Sequence, residues 1–135
     1  MFKKIHVFRV LPGQELIAAI NAYCVQNNLK SGVIINIIGS VTYAKLNFIA
    51  KLPGEYKQKE YSGTMEIVGA QGTVALNGND LILHIHGHLA NMEGSFGGHI
   101  AEANIFSTAE VVIGELDYQL NRRQDKYTGL NELVK

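Results

Sequence analysis

The sequence predicts a single α+β domain spanning residues 1–135, made mainly of an antiparallel β-sheet with one main flanking helix. Three observations support this class. Only one segment spaces its apolar residues as a helix does, the other segments are rich in β-branched and aromatic residues, and most of the 14 glycines fall between those segments. A chain of 135 residues with 47% hydrophobic and 18% charged residues can also bury one core.

The first part of the chain contains the predicted helix. Residues 5–11 alternate loosely and predict a strand, which a Pro-Gly pair ends. Residues 14–28 place their apolar side chains along one stripe of a helix, and Cys24 falls on that stripe. We therefore interpret Cys24 as a small buried hydrophobe rather than a reactive thiol.

The middle of the chain predicts several strands. Residues 33–38 are almost wholly apolar, which is typical of a strand covered on both faces, and residues 41–50 resume as a second strand after a Gly-Ser pair. Residues 51–60 predict a loop, because they contain a Pro-Gly pair and mixed charges. Residues 61–76 are strand-like, and their three glycines predict bulges or close approach of another backbone.

The second half predicts a hairpin, a loop and a final long strand. The Asn-Gly-Asn-Asp sequence at 77–80 is the strongest turn signal, and it predicts a β-hairpin between residues 73–76 and 81–89. Residues 91–98 predict a glycine-rich loop, and residues 105–116 predict the last long strand.

The charge balance argues against an independent DNA-binding protein. The chain has 12 Lys and Arg residues and 12 Asp and Glu residues, so its formal net charge is zero. Protomers with no net charge repel each other only weakly, which is compatible with self-association. The tail contains a small basic group, Arg122, Arg123 and Lys126, which Asp125 interrupts. We interpret this group as a solvated tail rather than a nucleic-acid patch, because few aromatic stacking partners accompany it.

We expect a soluble cytoplasmic protein. The first ten residues contain two lysines but lack the apolar region and cleavage site of a signal peptide. The longest apolar runs are far shorter than the roughly 20 residues that a membrane helix needs. The single cysteine allows no internal disulfide, which fits a reducing compartment.

Four of the five histidines lie within sixteen residues of sequence. Residues two apart on a strand share a face, so His84, His86 and His88 are predicted to lie side by side, with the leucine-rich set on the opposite, core face. His99 follows two glycines, which allow a tight turn that brings it close. Imidazole suits zinc and related transition metals, so the pattern predicts a metal site. The alternative is a set of solvated polar residues on an exposed strand face.

Two carboxylates are candidates for catalysis. Glu110, in the last long strand, is a candidate general acid or base, or a partner for a metal-bound histidine. The alternative for Glu110 is a carboxylate on a solvated face or at a subunit contact. Glu102 is the second candidate acid or base. His6 is the one histidine on the first strand, and we interpret it as a structural residue.

Several short pieces of this sequence, in this order, resemble the PPC (plants-and-prokaryotes-conserved) domain, which also occurs beside AT-hooks in plant nuclear proteins. The resemblance covers about residues 8–133. The pieces are Phe8-Arg9-Val10, Pro12-Gly13, Gly39-Ser40, Gly63-Thr64-Met65-Glu66-Ile67, His84-Ile85-His86, Gly97-Gly98-His99, Thr108-Ala109-Glu110-Val111-Val112, and the tail with Arg122/Arg123, Asp125 and Thr128-Gly129.

This resemblance implies a compact α+β fold that assembles as a homotrimer. Stand-alone prokaryotic members resemble small metal-containing proteins, and the His-x-His and Gly-Gly-His pieces imply His84, His86 and His99 as ligands of zinc or another divalent transition metal. His88 lies outside the family pattern and is a candidate fourth ligand. Plant members bind DNA chiefly through an AT-hook, and no Arg-Gly-Arg-Pro-like hook occurs in this chain.

Three functional hypotheses follow. The first is a trimeric metal-binding interaction module, which in family terms is a DNA-binding regulator. The second is a zinc-dependent enzyme acting on a small molecule, in which three histidines leave an open coordination position, Glu110 or Glu102 is the acid or base, and residues 91–98 form a lid. The third is a closed structural site, with His88 or a group from a neighbouring subunit as the fourth ligand.

Overall fold

One helix and seven strands make up the described part of the chain, residues 1–134 of this computed structural model. In chain order they are β1 (Phe2–Val10), α1 (Leu16–Gln26), β2 (Gly32–Lys51), β3 (Glu55–Asn77), β4 (Asp80–Ala90), β5 (Ser95–Leu116), β6 (Arg122–Gln124) and β7 (Asn131–Leu133). Every ladder between these strands is antiparallel. The predicted class, a mainly antiparallel sheet with one helix, is therefore confirmed.

The main sheet closes on itself. Its strand order is β1-β5-β2-β3-β4, and β4 also pairs with β5, so that β5, β2, β3 and β4 form a ring of hydrogen-bonded neighbours. The start of β5, from Ser95 to His99, pairs with β4, whereas its later part pairs with β2 and β1. The short strands β6 and β7 form a separate two-stranded sheet. Closure places β4 directly beside the start of β5.

The strands are longer than predicted. Residues 33–38 and 41–50, predicted as two strands, belong to the single strand β2, which continues through Gly39. A Cβ atom at Gly39 would overlap the Thr108 carbonyl oxygen, so the glycine permits close approach of β5 rather than ending a strand. The difference arises because the backbone groups on both sides of Gly39 have partners on β3 and β5.

Two predicted loops are wrong for much of their length. Only residues 52–54 separate β2 from β3, because residues 55–60 pair with the end of β2. Only residues 91–94 separate β4 from β5, because residues 95–98 pair with β4. In both segments the backbone N–H and C=O groups form hydrogen bonds with the neighbouring strand, even though the local sequence favours a loop.

The helix prediction is confirmed with tighter bounds. Glu15 caps the helix, because its carboxylate accepts hydrogen bonds from the backbone N–H groups of Ile17 and Ala18 at 3.0 and 2.8 Å. One oxygen of the same carboxylate accepts from the Ala103 N–H at 3.0 Å and so ties the helix to β5. Cys24 is 1% exposed, and burial raises the pKa of its thiol to about 11. It is a core residue, as predicted.

A single cluster of buried side chains draws on α1 and on strands β1 to β5. Its largest fully buried members include Leu16 and Ile20 of the helix, Ile34 of β2, Ile85 of β4 and Ile113 of β5. The helix packs against β5, β1 and β4. No helix in residues 1–134 combines the length and apolarity needed to cross a membrane.

Candidate metal centre

The histidines of β4 lie on the face opposite to the core, as predicted. Ile85 and Leu89 are buried in the central cluster, while His84 is half-buried and His86 is exposed. This alternation follows from the two-residue period of a strand. The two histidines therefore lie side by side on a strand that the core holds in place from behind.

His99 joins them through strand pairing and not through a turn. It lies directly opposite His86 in the β4–β5 ladder. Gly97 and Gly98 belong to β5, and a Cβ atom at Gly97 would lie 2.8 Å from the Gly87 carbonyl oxygen. The predicted Gly-Gly turn is therefore wrong, and these glycines instead allow neighbouring strands to approach closely.

The ring nitrogens of His84, His86 and His99 converge. One nitrogen from each ring lies within 4.8 Å of the others, and the Nε2 atoms of His84 and His86 are 3.1 Å apart. The ring centroids are 4.9 to 5.5 Å apart. Nitrogens on a tetrahedral zinc ion at 2.0–2.1 Å would be about 3.4 Å apart. The three imidazoles therefore fit the size and chemistry of a zinc-like ion.

The other predicted site residues lie outside this group. His88 is on the same face of β4 but does not belong to the convergent set. Glu110 is exposed and lies opposite Arg9 and Ile38 in the β1–β5 and β2–β5 ladders. Glu102 has its carboxylate 3.5 Å from the Lys45 Nζ. Among the described residues, the convergent group thus contains imidazoles and no carboxylate.

Arg122 is the site residue that the sequence did not reveal. The interpretation of this tail as solvated is wrong at Arg122, whose side chain is 6% exposed. Its Nη1 donates to the Asn131 carbonyl oxygen at 2.8 Å, and its Nη2 donates to Thr73 Oγ1 at 2.9 Å. The same Nη2 lies 3.3 Å from His84 Nδ1. No local pattern predicts these contacts, because they depend on where the β6–β7 hairpin packs.

The surroundings of His84 and His99 favour the neutral forms of these two rings. The pKa of His84 is lowered to about 4, mainly by burial and to a smaller extent by the nearby charges of His99, Arg122 and His86. Glu132 acts in the opposite direction and raises this pKa. Burial and the neighbouring His86 and Arg122 also lower the pKa of His99. Neutral imidazole is the form that binds a metal ion, so protons compete only weakly with an ion for these two rings at neutral pH.

The family model for the Plants and Prokaryotes Conserved (PCC) domain, abbreviated PPC above, matches residues 1–117. The chain belongs to this family. The matched region of the PCC domain contains the helix, the whole five-stranded sheet and all three convergent histidines. It ends before the β6–β7 hairpin, which contains Arg122.

Solved structures share the whole fold of this PCC domain. A metal-containing protein from Archaeoglobus fulgidus is 24% identical, with a TM-score of 0.91, and the match covers 100% of this chain and 96% of that one. A protein from Bacteroides thetaiotaomicron, described as a proposed DNA-binding protein, is also 24% identical, with a TM-score of 0.91 over 99% and 96% of the two chains. At this identity both structures establish the likeness of the fold alone.

A curated relative is similar to this chain over a part of its own length. The bifunctional protein GlmU of Synechococcus sp. strain JA-3-3Ab is 29% identical over 133 residues, and the match covers 96% of this chain. The chain spans about 20% of the length of that relative.

Proposed function

We propose that this PCC domain is a homotrimeric metal-binding regulatory module in which His84, His86 and His99 hold zinc or a similar divalent transition metal. The observation that supports this most strongly is the convergence of three ring nitrogens within 4.8 Å. The lowered pKa values of His84 and His99 add support, because protons compete weakly for these rings at neutral pH.

The chain's own residues orient the ligands. The core face of β4 fixes the strand that presents His84 and His86, and the β4–β5 register sets His99 opposite His86. A bound ion would act there as a Lewis acid towards a fourth ligand. Water is the fourth ligand that the arrangement favours, because His88 lies outside the convergent group.

The test is metal content. The protein is stripped with a chelator, reloaded with zinc, freed of excess ion by gel filtration and analysed by mass spectrometry. We expect close to one zinc ion per chain. Recovery of the protein without zinc, although its circular dichroism spectrum is that of a folded β-protein, would contradict the proposal.

Self-association is supported by an outer face formed by Val7, Arg9, Ile38, Glu110 and Val112. These residues lie opposite one another in the β1–β5 and β2–β5 ladders, on the side away from the core. Val7 is 67% and Ile38 is 45% exposed. Arg9 and Glu110 are cross-strand neighbours of opposite charge, so copies of this face can pair apolar and charged groups with each other.

The proposed regulatory partner is duplex DNA. Family membership and the description of the Bacteroides relative support this assignment. Zero net charge limits long-range attraction to DNA, so we expect binding at low ionic strength that is lost as salt is raised.

A zinc-dependent enzyme acting on a small molecule is the alternative. The observation that favours it is the exclusion of His88, which leaves a three-histidine site with an open position. Substitution with cobalt(II) tests this alternative, since the visible spectrum of the ion changes when an added anion such as azide replaces bound water. An unchanged spectrum would indicate a closed, structural site.

A further inference from the structure

The buried guanidinium of Arg122 connects the β6–β7 hairpin to the histidine cluster. Its donors reach the Asn131 carbonyl on β7, the Thr73 hydroxyl on β3 and the Nδ1 atom of His84 on β4. Thr73 lies directly opposite His84 in the β3–β4 ladder. The buried Nε of Arg122 has no hydrogen-bond partner. The Arg122 side chain of β6 therefore contacts both β3 and the strand that carries His84.

The contact with His84 makes a chemical demand on the ring. A guanidinium has donors only, so its contact with His84 Nδ1 requires a lone pair on that nitrogen. A neutral imidazole has one N–H and one lone pair, so the ring proton then lies on Nε2, the atom 3.1 Å from His86 Nε2.

A metal ion in the cluster makes the opposite demand. An ion held by the cluster would take the lone pair of His84 Nε2, the nitrogen that lies 3.1 Å from His86 Nε2, and the N–H would then be on Nδ1, facing the donors of Arg122. The ring has one proton in both arrangements, and only the position of that proton differs. The same ring cannot satisfy both partners.

We infer that Arg122 and the metal ion compete for His84, so that metal binding releases a contact that holds the β6–β7 hairpin against the sheet. This inference rests on the proposed metal site. The coupling is reciprocal, so a hairpin held by Arg122 disfavours the ion as much as the ion disfavours the held hairpin. The positive charge of the guanidinium acts in the same direction.

Hydrogen–deuterium exchange of residues 122–134 in the unmodified protein, with and without zinc, provides one test. We expect faster exchange in the zinc-loaded protein, although a ligand ordinarily slows exchange near its site.

The second test is zinc affinity, measured by competition with a chromophoric chelator. The Arg122→Met variant should bind zinc about tenfold more tightly, because the substitution removes the charged group that competes with the ion for His84. A tenfold gain in affinity corresponds to about 1.4 kcal/mol of binding free energy. A merely structural role for Arg122 would weaken binding instead.

Arg123→Met is the matched control, because it removes the same charge from the neighbouring, exposed position. We expect its zinc affinity to stay within about twofold of the unmodified value, as for a screened surface charge. Three results would contradict the competition between Arg122 and the ion: zinc binding without a change in hairpin exchange, weaker zinc binding by Arg122→Met, or an equal gain in affinity in Arg123→Met. None of these results would contradict the metal site itself. Failure of the unmodified protein to bind zinc would overturn both proposals. The exchange measurement decides the question even if Arg122→Met does not fold.

Discussion

His86 on β4 lies directly opposite His99 on β5, in the ladder that closes the sheet into a ring. The two residues are 13 positions apart in sequence, yet their rings lie 5.5 Å apart between centroids. His84, two residues before His86, completes the group because it shares the same strand face. The candidate metal centre is thus located where the sheet closes.

Replacement of His86 by Ala should release most of the zinc and leave the fold intact. The His86 side chain is exposed, and the opposite face of β4 holds the core residues. Zinc content after chelation and reloading measures the loss, and circular dichroism checks the fold. His88→Ala, on the same face but outside the cluster, should keep its zinc. Equal zinc content in His86→Ala and the unmodified protein would refute the ligand assignment.

The metal-free protein should lose stability as the pH falls from 6.5 to 5. The unfolded His84 ring takes up a proton near pH 6.5, whereas the folded ring has its pKa lowered to about 4. The unfolded state therefore binds more protons in this window, and the free energy of unfolding decreases as the pH falls. Urea midpoints in the presence of a chelator measure this slope.

His84→Gln is the control for this pH effect. Its amide oxygen can still accept a hydrogen bond from Arg122, but the side chain does not titrate. The variant should show a shallower slope, with the remainder due in part to His99, whose pKa is also lowered. An unchanged slope would show that His84 does not contribute.

Gly72→Ala should destabilise the protein by about 1–3 kcal/mol, the usual cost of overpacking. A Cβ atom at Gly72 would overlap the carbonyl oxygen of His84, which is backbone and cannot rotate away. Urea denaturation gives the change, and we also expect weaker zinc binding because β4 must shift. Gly94→Ala, in the turn before β5, meets no atom within 4 Å and should change stability by less than about 0.5 kcal/mol. Equal stability of the two variants would contradict the close-approach argument.

Lysines at Val7 and Ile38 should convert the proposed trimer to monomers. Both side chains are exposed on the outer face, so charge there leaves the protomer core intact while it separates copies of this face. Light scattering at micromolar concentration measures the mass. Val25→Lys, on the exposed side of α1 at 66% exposure, should remain trimeric. A monomeric mass for the unmodified protein would rule out the trimer.

Removal of the positive charge at Arg123 should change DNA binding only slightly. Arg122 is buried, so Arg123 alone of this pair can reach a phosphate, and one contact contributes a salt slope of about −0.9. Binding to duplex DNA across a series of salt concentrations gives the slope for Arg123→Ala and the unmodified protein. A large loss of slope would show that the tail is a main DNA contact, and absence of binding at low salt would exclude the DNA partner.

Local sequence patterns alone predicted several features correctly. The spacing of apolar residues placed α1 and the buried Cys24, and the Asn-Gly-Asn-Asp turn placed the β3–β4 hairpin. The shared face of His84 and His86 followed from the two-residue period of a strand. These features depend on neighbours within a few residues, so the sequence by itself determined them.

Only the tertiary structure decided how segments that are distant in sequence meet, both in the candidate site and in the sheet. The position of His99 depends on the β4–β5 register, the continuity of β2 through Gly39 depends on its two partner strands, and the burial of Arg122 depends on the packing of the β6–β7 hairpin. Each of these is set by hydrogen bonds and packing between segments far apart in sequence, which local propensity does not encode.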